Sequence, residues 1–199
     1  MKFIDKGLFK RNKKFLLIGL AIFLVSFIAG ALITNANIGD NYGLISETIY
    51  NHSQDGENAV TLPDFTTLDF FVHNLFADLI VVFGGFLFSI ISVLCVIFNG
   101  FSIGGPFGGD FLFAFASIVP HSIFEYPASI FALAVAFNIT SLEIKMIKNR
   151  SIRQVLEENR IVLKDIFALF IIMLVLLLIA AIIEGNITAY VIYWVYGLL

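Results

Sequence analysis

Lysine and arginine are missing from the whole stretch between Lys14 and Lys145, and again beyond Lys164. The basic clusters on either side of that gap could meet anionic lipid heads or nucleic acid but read first as topology signals, so no nucleic-acid partner is expected, and no glycine-rich stretch precedes a lysine as a phosphate-binding loop requires. Cysteine is scarce as well. Cys95 is the only one and sits inside an apolar run, which excludes an intrachain disulfide and reads as a small buried apolar residue. Charged residues of every kind make up only 14% of the chain, against 59% hydrophobic residues and 23 phenylalanines. A soluble domain of 199 residues could not hide that much apolar surface. Phe, Leu, Ile and Val run in blocks long enough to cross roughly 30 Å of hydrocarbon. The sequence therefore predicts an all-α, polytopic transmembrane helical bundle whose main partner is the lipid bilayer.

The charges that are present set an expected topology. The 12 basic residues fall into two short stretches, Lys2 to Lys14 and Lys145 to Lys164. Basic residues flanking spans stay on the cytoplasmic side, which predicts a cytoplasmic N-terminus (1–14) and a cytoplasmic amphipathic helix (143–164), with an even number of crossings between them. A first transmembrane helix is expected over 15–34, as an uncleaved anchor rather than a signal peptide cut near Ala29 and Ala31, because the apolar run is longer than most signal cores. Residues 35–67 hold Asp40, Glu47, Asp55, Glu57 and Asp64 without any lysine or arginine, and form an expected extracytoplasmic acidic loop. Leu44, Ile45, Ile49 and Tyr50 could make the apolar face of a surface helix there, and Asn51-His52-Ser53 has the form of a glycosylation sequon. The loop reads either as a contact surface for envelope protein partners or as a plain connector.

Residues 68–142 form the expected membrane core, with one long span over about 69–98 followed by a broken region. Asn99, Gly100, Gly104, Gly105, Pro106, Gly108 and Gly109 crowd together, and Pro120 and Pro127 follow. Such a segment predicts Gly/Pro-broken or re-entrant helices whose backbone groups find partners inside the protein. The glycines at 100, 104 and 108 are read as a packed turn, and Gly84 and Gly85 as a close helix crossing or a hinge. Three and five crossings in total both satisfy the charge pattern. Ser151 with Gln154 has the form of a helix capping box that starts an interfacial helix. The last transmembrane helix and an aromatic tail occupy 165–199, with the apolar run ending near Glu184 and Tyr190, Tyr193, Trp194 and Tyr196 as an interface anchor.

Any chemistry must come from the few polar groups in the apolar region: Asn74, Asp78, Asn99, His121, Glu125 and Glu184, with Asn138 nearer a boundary. Ionisable residues at membrane depth are costly and point to a functional site. His121 and Glu125 are the best pair, since an i, i+4 spacing puts both on one helix face. The bland alternative is that they lock two helices together. No third ligand is evident beside them and the pattern H-E-x-x-H is absent, so neither metal nor cofactor is expected.

These residues carry a resemblance. Asn74, Gly84-Gly85, Asn99-Gly100 with Gly104, the segment Pro120-His121-Ser122-Ile123-Phe124-Glu125-Tyr126-Pro127-Ala128, and Ala180-Ala181-Ile182-Ile183-Glu184 with Thr188 are similar to the stage II sporulation protein M family. Many relatives have glycine at the place of Ser122. The resemblance implies a shared membrane core, with His121, Glu125 and Glu184 as its polar residues and Asn74 and Asn99 beside them. Sporulating members anchor cell-wall-degrading enzymes and are not enzymes themselves, which implies a non-catalytic scaffold or anchor, homo-oligomeric and expected as a dimer. The alternative is a channel or transporter for an ion, proton or small solute. A scaffold predicts a dry, fully paired polar core, and a transporter predicts a water-accessible one.

Overall fold

The computed structural model describes residues 6–54 and 66–195, with side chains for all of these except 36–54 and Tyr193. The elements are α1 (Leu8–Gln54), α2 (Thr67–Phe83), a 3-10 turn (Gly84–Leu87), α3 (Ile90–Gly109), α4 (Phe111–Asn149), α5 (Ile152–Glu158), α6 (Arg160–Ile183), a π turn (Glu184–Thr188) and α7 (Ala189–Val195). The fold is an all-α helical bundle. Among the described residues, five stretches are long and apolar enough to cross a membrane: Leu8–Asn35, Thr67–Leu87, Ile90–Gly109, Phe111–Asn149 and Arg160–Ile192. The side chains expected to give residues 35–67 their acidic, apolar-faced and sequon character lie outside the described ones, as do Tyr193 and Tyr196 of the tail.

Three expectations about the core change. The span expected over 69–98 is a helical hairpin, because α2 ends at Phe83 and α3 starts at Ile90. Gly84 and Gly85 lead the chain into the turn, and Phe88 and Ser89 close it with left-handed φ of 53° and 57°. Phe83, Phe86, Leu87 and Phe88 all point outward, so hydropathy does not mark the reversal. The turn is tied from within instead. Ser92 Oγ donates to the Val81 carbonyl (2.6 Å), Thr140 Oγ1 donates to the Gly85 carbonyl (2.8 Å), and the Ser89 and Thr140 hydroxyls meet at 2.7 Å.

The glycines of α3 are a helix face, not a turn. α3 runs unbroken to Gly109 with Pro106 in its last turns, where the proline removes a single intrahelical bond, the one to the Ser102 carbonyl. Gly100 lies on Phe23 and Ser26, Gly104 on Phe27 and Ala31, and Gly108 on Ala31 and Asn35. The numbers rise together, so α1 and α3 are parallel and packed along a small-xxx-small stripe. A Cβ at Gly104 would strike the Phe27 carbonyl, and one at Gly108 the Ala31 carbonyl.

Pro120 does not interrupt the chain either. α4 continues through Pro120 and Pro127 for 39 residues, about 58 Å at 1.5 Å per residue. Each proline leaves the carbonyl four residues before it without its helical donor, and neighbouring serines bond the backbone in the same stretch, Ser117 to Phe113 O and Ser122 to Ile118 O. α4 is the central helix and packs against α1, α2, α3 and α6. Ala128, Ala132, Leu133, Ala134, Val135 and Ala136 are wholly buried in it, small residues that let neighbouring backbones come close. The fully buried Leu169, Met173 and Leu177 of α6 complete the centre, while Phe76, Phe98 and Phe111 face outward as lipid-exposed side chains do.

The expected helix over 143–164 is divided, because α4 runs on to Asn149, Arg150 turns the chain with a left-handed φ of 53°, α5 covers Ile152–Glu158 and α6 already starts at Arg160. Ser151 caps α5 by accepting from the Gln154 N–H, but the Gln154 side chain reaches forward to Glu158 (2.8 Å) rather than back, so half of the capping box forms. α6 ends at Ile183, and Tyr190 and Trp194 stand exposed on α7.

Candidate functional site

One face of α4 carries the site. His121, Glu125 and Ser129 recur at intervals of four and form a polar stripe on a helix otherwise lined with alanine and leucine. At the upper end of the stripe the π turn after α6 brings in Glu184. The His121 Nε2 stands 3.7 Å from Glu125 Oε2 and 3.9 Å from Glu184 Oε1. The wider π turn also places Thr188 under the ring, with Oγ1 3.4 Å from His121 Nδ1 and 3.4 Å from the Ile183 carbonyl. One ligand atom from each of His121, Glu125 and Glu184 fits within 4.8 Å of the others. The imidazole is 11% exposed and each carboxylate 21%, so the triad is sheltered but reachable.

Two turns down the stripe, Ser129 Oγ donates to Asp78 Oδ1 at 2.7 Å. Asp78 is 1% exposed, and its Oδ2 has no hydrogen-bond partner among the described residues. Below it the interior turns apolar, through Val81, Ala132 and Leu133, before a second polar layer is reached. The triad lies at the end of the bundle remote from the basic stretches. Gly185 backs onto Thr67, the first residue of α2, and Glu184 is roughly 28 Å along α6 from Asp165.

The stage II sporulation protein M description matches residues 19–189. The chain belongs to the stage II sporulation protein M family. An uncharacterized protein of Methanocaldococcus jannaschii is 27% identical over 160 residues, covering 76% of this chain and 88% of that relative. No solved structure matches the chain. In this member of the family the quoted segments come together as follows. The Pro120 to Ala128 segment supplies His121 and Glu125, and the late segment supplies Glu184 and Thr188, all at one place. Gly84, Gly85, Gly100 and Gly104 serve the helix contacts around it. Asn74 and Asn99 stand apart from the triad. Both are half-buried, and Asn99 lines an apolar groove with Ala77, Ile80, Ile91, Leu94, Cys95 and Phe98.

Glu184 stands with His121 and Glu125 as the resemblance implies, and puts a third candidate ligand atom within 4.8 Å of the pair. It lies far along the chain and only the fold brings it in. A further polar layer was not foreseen beyond Asn138. Arg11 grips Asp165 with two bonds, Nε to Oδ2 at 2.7 Å and Nη2 to Oδ1 at 2.5 Å. Asn12 Nδ2 adds a third at 3.0 Å, and Asn138 Nδ2 donates to Asn12 Oδ1 at 2.7 Å. This cluster ties α1, α4 and α6 together at the basic end. The signal available in the sequence was Asp165 itself, an acid opening the most apolar run of the chain and opposite in sign to the N-terminal stretch.

Proposed function

We propose that this family member is a non-catalytic membrane protein that passes a cation, a proton or a metal ion, through the interior of the bundle. The observation that carries the reading is the His121–Glu125–Glu184 triad with Asp78 below it. These are three carboxyl groups in the spanning region with no lysine or arginine between Lys14 and Lys145 or after Lys164 to balance them. Carboxyl groups that close in a medium of low dielectric either hold their protons or share a cation, and among the described residues the only cationic partner the site offers is a protonated imidazole. The orphaned oxygen of Asp78 departs from the fully paired core that a simple helix lock requires. Val81, Ala132 and Leu133 then take the part of a gate between Asp78 and the Asn138–Asp165 layer. In this reading the basic stretches are cytoplasmic and the triad opens to the outside.

The same apolar layer favours the second reading, a homo-oligomeric scaffold whose 35–67 segment recruits envelope partners, because that layer is dry and closely packed. Flux separates the two. Proton and metal-ion flux into proteoliposomes is measured for the wild type and for Glu125→Gln and His121→Ala, after size-exclusion and thermal scans confirm folding. The transport reading expects flux in the wild type and loss in both variants. A folded wild type that is silent across a panel of ions leaves the scaffold.

A further inference from the structure

The triad has the wrong spacing for hydrogen bonds and a suitable one for a shared cation. N–H···O bonds fall at about 2.7–3.2 Å, whereas His121 Nε2 stands 3.7 and 3.9 Å from its two carboxylate oxygens. Ligands about 2.0–2.2 Å from a tetrahedral cation stand roughly 3.3–3.6 Å from one another, within a few tenths of an ångström of the two His121–carboxylate distances, and all three ligand atoms lie within 4.8 Å of one another. The other ring nitrogen stands 3.4 Å from Thr188 Oγ1, at the outer edge of hydrogen-bond reach. With the proton on Nδ1, the ring donates to Thr188 Oγ1, which donates on to the Ile183 carbonyl. A metal-binding histidine commonly has this outer support, which fixes the tautomer and leaves Nε2 free to ligate. The two carboxylates have no basic residue in their part of the chain to pair with. We propose that His121 Nε2, Glu125 and Glu184 bind one divalent transition-metal cation. Imidazole nitrogen with two carboxylate oxygens suits zinc, manganese or cobalt better than magnesium or calcium, which favour all-oxygen shells. Three protein ligands leave a further position open to water on the accessible side.

The inference deepens the cation-passing reading and shares its site, and binding is tested apart from flux. Full-length protein in detergent is stripped with a chelator and titrated with cobalt(II), read by its visible absorption, and then with zinc(II) in competition. About one equivalent is expected to bind the wild type. His121→Ala, Glu125→Gln and Glu184→Gln are expected to abolish saturable binding. Thr188→Val, which removes the support, is expected to weaken it by about 10-fold, and Glu157→Gln, at an exposed carboxylate on α5 away from the triad, is expected to leave it unchanged. Where a ligand variant does not fold, Thr188→Val still decides. Overturning results are a folded wild type without saturable binding, or binding that survives in the folded ligand variants and is unaffected by Thr188→Val. Metal binding without flux keeps this site and removes the transport reading. Proton flux in a protein that binds no metal does the reverse.

Discussion

Arg11 and Asp165 differ in what each loses when its partner is removed. Asp165 is buried, with a side chain 6% exposed, while Arg11 is 36% exposed and can turn to water. Arg11→Ala leaves a carboxylate in the interior with Asn12 still donating to it but its guanidinium partner gone, a cost of about 3–5 kcal/mol for an uncompensated buried charge. Asp165→Asn removes the charge itself and keeps the shape, so about 1–3 kcal/mol is expected from the lost charged hydrogen bonds. Thermal or denaturant unfolding of the purified variants should therefore rank Arg11→Ala as the more destabilised; the opposite order would mean that Asp165 is solvated. Single residues were also where the sequence was most legible. His121 and Glu125 could be paired from spacing alone, because i, i+4 neighbours on a helix meet whatever the rest of the fold does. Glu184, Asn12 and Asp165 could not, since their partners come from other helices and composition carries no record of which helices touch.

Helices were legible as apolar blocks and illegible at their ends. The reversal at Gly84 to Ser89 is built of residues as apolar as the spans it joins, so a scale of hydropathy runs straight through it. The opposite error arose at 99–109 and at Pro120, where glycine and proline suggested breaks in helices that are continuous. Glycine weakens a helix in water chiefly through backbone entropy and exposed backbone, and on α3 that cost is offset by close contact with α1. The distinction between contact glycines and spare ones is testable. A Cβ at Gly104 meets the Phe27 backbone, whereas one at Gly105 finds only the Thr34 hydroxyl at 3.3 Å. Gly104→Val should cost at least about 1–3 kcal/mol by overpacking the α1–α3 contact, and Gly105→Ala should leave the melting temperature nearly unchanged. Equal effects at the two positions would argue against the parallel pairing.

At the scale of the molecule, the five candidate spans put polar chemistry in two places, the triad with Asp78 at one end and the Arg11–Asp165 cluster at the other, with an apolar layer between them. The bundle class followed from composition, while the division into two polar layers needed the packing of α4 against α1, α2 and α6. The central claim is that the triad end is a water-reached cavity and not merely a lock between helices. The most direct test places a single cysteine at the triad itself, Glu184→Cys in a Cys95→Ser background, in sealed vesicles of known orientation, with a charged, membrane-impermeant thiol reagent. The account predicts modification from the side opposite the basic stretches and none from theirs. A folded protein whose cysteine resists the reagent from both sides would contradict it.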